Sequence, residues 1–243
     1  MLRRFLWVAY DHLGGLVLFN LVWTGLSLPW LLLGALLLGA GSEMGGGRGL
    51  AAVLMALELV LVSPPTLLLF LAARRWVREE EVGFGQLLAE WRRFAWRAQA
   101  LGILTIGATC ALVVNVFFYH QFASWVGLAL SGLMLWFLLG VALIGLYLFP
   151  VLIAQEGSVW QTIRQSFLLV IDNVRLSLGL LLGTGFSFGI GVVSGLGLFC
   201  GMLTALVLFV SIGFRSLLPK YTGESLPEGP RRSWRELIRP WES

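Results

Sequence analysis

Long apolar runs dominate this chain and restrict it to one kind of fold. The runs are close to the 20 or so residues that an α-helix needs to cross about 30 Å of hydrocarbon. Only 12% of the residues are charged, whereas soluble domains carry about 25%, so the chain cannot form an ordinary water-exposed surface. The sequence predicts an all-α membrane protein, a polytopic bundle of about six transmembrane helices. The predicted spans are residues 16–40, 50–73, 98–119, 125–149, 175–192 and 195–217.

The number of spans follows from the positions of Lys and Arg. With six spans, sixteen of the seventeen basic residues lie on one side of the membrane, and only Arg48 lies on the other. Basic residues accumulate on the cytoplasmic side of membrane proteins, so both termini are predicted to be cytoplasmic. If residues 175–218 formed a single span, the basic tail would lie outside. We therefore predict one transmembrane domain over 1–218, an N-terminus that is not a cleaved signal peptide, and a flexible basic tail over 219–243.

Three segments on the predicted cytoplasmic side have amphipathic helical patterns: residues 1–15, 84–97 and 159–174. In each, an apolar stripe lies opposite polar or charged residues, which is typical of helices at a membrane surface. Each segment precedes a pair of spans, so one hypothesis is a fold of three repeated helix-plus-hairpin units. The alternative is three unrelated juxtamembrane helices. The candidate cytoplasmic contact face comprises Trp91, Arg92, Arg93, Trp160 and Arg164.

Polar residues and prolines interrupt the first two spans. A proline inside a helix removes a backbone hydrogen bond and kinks the helix, and transporters use such broken helices as binding sites. The alternative is that the kinks only shape packing and that Ser and Thr bond their own backbone. Glu58, an acid well inside a span, is either a proton- or ligand-binding carboxylate or a hydrogen-bonded structural group. The candidate membrane site comprises Asn20, Ser27, Pro29, Glu58, Ser63, Pro64 and Thr66.

The remaining patterns favour packing over chemistry. Glycine pairs at G-x-x-x-G spacing in the last two spans predict close helix packing, with a homo-oligomer face as the alternative. Cys110 and Cys200 lie in apolar runs without a C-x-x-C motif, so no disulfide framework or metal site is predicted. We likewise predict no cofactor, no nucleic-acid partner and no enzyme activity. Five tryptophans are predicted to anchor the membrane interfaces: Trp76, Trp91, Trp96, Trp125 and Trp160.

Several short motifs resemble those of the YesL-type family of bacterial integral membrane proteins. The resemblance rests on N-L-V-W-x-x-x-S-L-P at 20–29, P-x-T at 64–66, W-R-R-F at 91–94 and Y-L-F-P-V-L at 147–152, and it extends over roughly residues 5–218. The chain departs from the family pattern at 63–66, S-P-P-T, where a single proline followed by Ala-Thr is expected. The family has no established activity, so the resemblance supplies no catalytic residue. It implies a bacterial inner membrane and a context in carbohydrate uptake.

The sequence and the resemblance together predict a non-enzymatic accessory or regulatory protein associated with carbohydrate uptake. Its expected partners are the lipid bilayer and subunits of a transport system. The alternative function is a small-solute transporter or channel that uses the proline-interrupted first and second spans. A lipid-organising or purely structural membrane protein is a third interpretation.

Overall fold

The structure, a computed structural model, describes residues 1–41, 64–81, 83–122, 124–194 and 200–223. Every regular element in these ranges is an α-helix, which confirms the predicted all-α class. In chain order the helices are α1 (Leu2–Asp11), α2 (Leu13–Gly41), α3 (64–77), α4 (Phe84–His120), α5 (Trp125–Gln155), α6 (Val159–Asp172), α7 (Val174–Ser194) and α8 (Met202–Thr222).

Four of the described helices are long and apolar enough to cross a membrane: α4, α5, α7 and α8. A fifth candidate is the pair formed by α1 and the first half of α2, whose axes meet at an angle of 83°. Many large apolar side chains on α4, α5 and α7 are exposed, as expected for surfaces that face lipid. The membrane-embedded character is therefore confirmed. Residues 42–63, which include most of the predicted second span, lie outside the described residues.

The helix α3 lies at the centre of the bundle. Apolar side chains on all its sides are buried, which is the pattern of a helix surrounded by other helices. Phe70 stacks on Phe149 of α5 with ring centroids 5.3 Å apart, and Arg74 donates a hydrogen bond to the Ile153 carbonyl oxygen at 3.3 Å. The second half of α5 therefore lies along α3. The most deeply buried residues of α3 are Leu67, Leu69, Leu71, Ala72 and Ala73.

The helices α4 and α5 form an antiparallel hairpin. Ser131 of α5 donates to the Val116 carbonyl oxygen near the turn, and Arg97 of α4 donates to the Gly157 carbonyl oxygen just beyond the other end of α5. The 37 residues of α4 extend over about 55 Å at about 1.5 Å per residue, well beyond a hydrocarbon thickness of about 30 Å. The amphipathic segment 84–97 is thus continuous with the third span and projects from it.

The turn between α4 and α5 leaves no room for a side chain at Gly127. A Cβ atom there would lie 2.6 Å from the Phe122 carbonyl oxygen and 2.7 Å from that of Tyr119. We expect Gly127→Ala to lower the free energy of unfolding by about 1–3 kcal/mol, because two backbone groups must shift. Thermal unfolding of the purified protein in mild detergent measures this loss. Gly132→Ala, at a position of α5 with open space around it, is the control, and an equal loss in both variants would contradict the steric explanation.

The helices α7 and α8 form a second antiparallel hairpin. Most of the segment that joins them, 195–199, lies outside the described residues, and the predicted total of six spans stays a prediction. Glycines let the two helices approach closely, as predicted, because a Cβ atom at three positions would meet a side chain of the facing helix. Gly179, Gly185 and Gly189 instead face open space, and an oligomer face on α7 stays a prediction. The close pairs are Gly183 with Phe209, Gly191 with Met202 and Gly213 with Leu180.

The corner between α1 and α2 rests on Trp76 at the end of α3. The His12 ring stacks on Trp76 with centroids 5.4 Å apart, and Phe19 meets the indole edge-on at 5.6 Å. Trp76 is therefore a core residue, and the prediction that it anchors a membrane interface is wrong. A tryptophan at the end of a span has the same sequence pattern whether lipid or a neighbouring helix covers it.

Three other predicted anchors are exposed at two levels of the bundle. Trp96 and Trp160 are 81% and 73% exposed, and both lie within one turn of the contact between Arg97 and Gly157. Trp125, also 81% exposed, lies at the opposite end of α5. The segment of α4 from Arg97 to His120 covers about 35 Å, close to the hydrocarbon thickness of about 30 Å. These two levels match the two interfaces of a membrane.

Candidate functional site

Asn20 joins α2 to the start of α8. Its side chain is fully buried, and its Oδ1 accepts a hydrogen bond from the backbone N–H of Leu203 at 3.0 Å. The first N–H groups of a helix have no acceptor within the helix, so the amide of Asn20 is a cap supplied by another helix. Gly201, with φ of +85°, precedes α8, and a Cβ atom there would lie 3.4 Å from the carbonyl carbon of Leu16. The two helices therefore meet closely at this point.

Further polar side chains follow Asn20 on the buried side of α2. Thr24 and Ser27 are both buried, and the Ser27 hydroxyl has no hydrogen-bond partner among the described residues. Thr204, in the first turn of α8, is buried too, and the described part of the chain offers its hydroxyl no partner either. A buried hydroxyl without a partner costs about 1–3 kcal/mol. Each of these two hydroxyl groups can therefore hydrogen-bond a water molecule or a small polar ligand.

Two tryptophan side chains bind the start of α3. Trp23 Nε1 donates to the Thr66 hydroxyl oxygen at 3.0 Å, and Trp91 Nε1 donates to the Pro64 carbonyl oxygen at 2.8 Å. Buried indole N–H groups need such acceptors. Trp91 therefore ties α4 to α3 inside the bundle and is not an exposed member of the predicted contact face. Motif segments 20–29, 64–66 and 91–94 thus meet at one place.

The described members of the candidate membrane site do not share one set of contacts, because some lie on α2 and others at the start of α3. Asn20 and Ser27 are on the buried side of α2, with Asn20 bound to α8. Pro64 and Thr66 lie at the first described turn of α3, next to Trp91 and Trp23. Pro29 lies inside α2, which stays helical through it. The members outside the described residues are Glu58 and Ser63.

Arginines from two other helices converge on the C-terminal end of α3. Arg4 of α1 donates to the Val77 carbonyl oxygen at 3.3 Å, and Arg215 of α8 donates to the same oxygen. The last carbonyl groups of a helix carry partial negative charge and lack donors within the helix. Cationic side chains therefore stabilise this end of α3 and fasten α1 and α8 to it.

Arg75 fastens α3 to α4. One guanidinium nitrogen lies 2.7 Å from Glu90 Oε1, and another donates to Gln86 Oε1 at 2.7 Å. The Arg75 side chain is buried and that of Glu90 is partly exposed, so this ion pair is partly shielded from water. The neighbouring Arg74 is partly buried. Burial, and to a smaller extent the charge of Arg78, lowers the pKa of Arg74 from its ordinary value, but an arginine stays charged at neutral pH.

Arg93 and Arg97, one turn apart on α4, bind the turn between α5 and α6. Arg93 pairs with the Glu156 carboxylate, and Arg97 donates to the Glu156 carbonyl oxygen at 2.7 Å. Glu156 has φ of +54°, so the two arginines hold a turn with a left-handed residue at its centre. The contacts of these basic residues place them together at one end of the bundle. We call it the arginine end; it comprises Arg4, Arg74, Arg75, Arg93, Arg97 and Arg215.

The helix α6 is capped at its start and has one exposed apolar face. Ser158 Oγ accepts from the Gln161 N–H at 3.3 Å, and Gln161 Oε1 accepts from the Ser158 N–H at 3.0 Å, which is a capping box. The predicted apolar stripe divides in two. Ile163 and Val170 pack inward, and the exposed part is Trp160, Phe167, Ile171 and Val174. The exposed members of the predicted contact face are Arg92, Arg93, Trp160 and Arg164.

A polar clamp that the sequence analysis missed joins the ends of α6 and α8. Lys220 Nζ lies 2.6 Å from Asp172 Oδ2. The Tyr221 hydroxyl donates to the same carboxylate oxygen and accepts from Asn173 Nδ2 at 2.6 Å. Lys220 is 48 positions from Asp172 along the chain, so no local spacing rule connects them. Only the antiparallel pairing of the last helices brings these side chains together.

The clamp predicts a loss of stability in acid. The hydrogen bonds from Lys220 and Tyr221 hold the pKa of the Asp172 carboxyl below its usual range. Because the folded-state pKa is depressed, the stabilisation is fully present above the unfolded-state pKa of about 4 and is lost as the pH falls through the folded-state value. We expect the Tm difference between wild type and Asp172→Asn to be largest near neutral pH and to vanish in acid. Thermal unfolding in detergent from about pH 7 to about pH 3 measures it. A difference that persists unchanged at the acidic end would exclude the carboxylate as its source.

One short pattern in α7 matches the sequence motif of a catalytic serine. Residues 185–189, G-F-S-F-G, match the G-x-S-x-G pattern of hydrolase nucleophiles, which requires a strained turn from a strand to a helix. Here the pattern lies inside a continuous helix, and Ser187 is exposed on its side. This geometry does not form a nucleophile elbow. In the part of the chain that the structure describes, no group of three or more His, Cys, Asp or Glu residues could hold a metal ion.

The chain matches no protein-family model, no curated protein and no solved structure.

Proposed function

We propose that this protein is a non-enzymatic accessory or regulatory component of a bacterial membrane transport system, with carbohydrate uptake as the context that the motif resemblance implies. The observation that supports this proposal is the fixed position of α6. Arg93 and Arg97 hold the turn before it, and the clamp from Lys220 and Tyr221 holds its end. A surface fixed in advance loses little conformational entropy when a partner binds.

The exposed side chains near α6 indicate the chemistry of the partner. Trp160 and Arg164 are exposed one turn apart on α6, and Arg92 is exposed on the adjoining part of α4. Tryptophan and arginine are the residues most enriched at the energetic centres of interfaces, and the arginines favour a partner with an acidic surface. We propose a transport-system subunit with acidic residues around an apolar patch as the occupant of this face.

The orientation and the number of spans belong to the same proposal. Six arginines are gathered at the arginine end by their contacts, which favours a cytoplasmic location for that end. We propose six spans, with the second over 50–73 and α1 and α6 at the inner membrane surface. A fluorescent protein that folds only in the cytoplasm, fused to the C-terminus, should be bright. High activity of an alkaline phosphatase fused at the same place would contradict this orientation.

The experiment that tests the proposed function is purification from native membranes in mild detergent, followed by mass analysis of the eluted complex. We expect a transport-system subunit to elute with the protein in a fixed ratio. Trp160→Ala should reduce the amount of that subunit about tenfold, the effect of losing one tryptophan at the centre of an interface. Trp125→Ala, a tryptophan of similar exposure at the other end of the bundle, should leave it unchanged. Elution of the wild type alone, or only with copies of itself, would contradict the proposal.

A small-solute transporter or channel is the second candidate, and one observation favours it. Two buried hydroxyl groups, Ser27 on α2 and Thr204 on α8, have no partner among the described residues, so this part of the membrane domain is a candidate site for a polar ligand. If this site carries solute, Ser27→Ala should change solute flux into reconstituted vesicles, and Glu58→Gln should change its pH dependence. Flux that neither substitution affects would assign these residues to packing.

A further inference from the structure

A cavity opens at the arginine end between α1, the end of α3 and the last turns of α8. Its volume is about 210 Å³. The side chains of Arg4 and Arg215 place two positive charges in its wall. The buried Ile212 contributes apolar surface. The lining residues are Met1, Arg4, Val77, Ile212, Arg215 and Ser216.

The two guanidinium groups in this cavity share a single acceptor. Both donate to the Val77 carbonyl oxygen, although each arginine has five N–H donors. Among the described residues, neither Arg4 nor Arg215 forms a salt bridge with a carboxylate. Most of their donors are therefore available to a ligand in the cavity.

Other charged residues lie near the cavity. Arg78 adds a positive charge near Arg215, while Glu79 and Glu80 add negative ones. Glu80 lies 3.7 Å from Arg78, and neither acid lines the cavity. The end of α3 contributes about half a negative charge at most. The cavity wall itself thus presents two full positive charges against a fractional negative one.

We propose that this cavity is a binding site for a phosphate group, carried either by an anionic lipid headgroup or by a free phosphate ion. Paired arginines recognise phosphate oxygens through charge-assisted hydrogen bonds. Basic pockets between membrane helices bind lipid headgroups in the same way, and the exposed Leu2 on α1 supplies apolar surface beside the cavity. The site does not depend on the proposed accessory function, because it uses different residues from the α6 face.

The test uses the full-length protein purified in a neutral detergent. Short-chain phosphatidylglycerol, short-chain phosphatidylcholine and inorganic phosphate are each titrated into it, and binding is measured by native mass spectrometry and calorimetry. We expect phosphatidylglycerol to bind about tenfold more tightly than phosphatidylcholine, because only the former has a net negative headgroup. Arg4→Gln and Arg215→Gln should each weaken binding about tenfold. Arg175→Gln, which removes an exposed arginine of α7 that does not line the cavity, is the control and should bind like wild type.

The two ligand sources give different results. Binding of inorganic phosphate that both arginine substitutions weaken identifies a free anion, while a response to phosphatidylglycerol alone identifies a headgroup. Because Arg215 also holds α8 against α3, Ser216→Trp is the second variant: it fills the cavity from its exposed rim, keeps both arginines and should abolish binding. The proposal is overturned if wild type binds neither anion in preference to phosphatidylcholine, or if these variants all bind as wild type does.

Discussion

Asn20→Leu should lower the free energy of unfolding by about 1–3 kcal/mol, the cost of leaving a backbone donor without its acceptor. The leucine is similar in size, so the change removes the acceptor and leaves the packing volume nearly intact. The Leu203 N–H, 3.0 Å from Asn20 Oδ1 and partly buried, would then lack an acceptor, and α8 would lose the cap that this hydrogen bond supplies. Thermal or denaturant unfolding of the purified protein in detergent measures the loss.

Asn115→Leu is the matched control for Asn20. Asn115 is a partly exposed asparagine of α4 whose Nδ2 donates to the Ala111 carbonyl oxygen of its own helix. Its replacement leaves no other helix without a partner, so we expect a change within about 0.5 kcal/mol. Equal destabilisation by both substitutions would show that the asparagine of α2 has no special role in holding α8.

Arg75→Gln should also cost about 2–3 kcal/mol. The side chains of Arg75 and Glu90 are only 9% and 35% exposed, and removing one partner leaves the other charge poorly solvated. Breaking a fully buried pair costs about 3–5 kcal/mol, and the partial exposure of Glu90 reduces that figure. The same substitution removes the 2.7 Å hydrogen bond to Gln86. The loss should therefore loosen α3 from the projecting part of α4, and limited proteolysis of the link between them should become faster.

Arg78→Gln is the control for Arg75→Gln. It removes one positive charge from the same end of α3 and should cost much less stability. Arg78 and Glu80 form a pair 3.7 Å apart with side chains 45% and 50% exposed, and exposed pairs contribute about 0–1 kcal/mol. The double variant Arg75→Gln/Glu90→Gln should recover part of the stability lost in Arg75→Gln, because it removes the uncompensated carboxylate. No recovery in the double variant would mean that Arg75 acts through packing or through Gln86.

Residues of the short sequence motifs contact α3. Trp23 and Trp91 bind Thr66 and the Pro64 carbonyl group, and Phe149 stacks on Phe70. Segments from three separate parts of the chain thus meet on one buried helix, α3. The sequence showed that these residues were unusual for membrane spans. It did not show that their common partner is α3.

The helical, membrane-embedded character of this protein follows from the sequence alone, and the structure confirms it. These properties depend on local quantities. The length of an apolar run decides whether a helix can cross the hydrocarbon, and a bilayer without water forces backbone groups into helices. The gathering of basic residues at one end also follows from their positions between spans. The amphipathic segments were predicted for the same reason, because a helical repeat is visible within a few turns.

Which side chains face lipid and which face other helices depends on how the helices pack together. Trp76 became a core residue because the corner between α1 and α2 covers it, and the apolar stripe of α6 divided because other helices cover only part of it. The bond between Asn20 and Leu203 joins residues 183 positions apart. In a membrane, lipid and a neighbouring helix are equally apolar, so hydrophobicity cannot distinguish them. That distinction depends on small residues and polar ties between distant segments, which only the assembled bundle brings into contact.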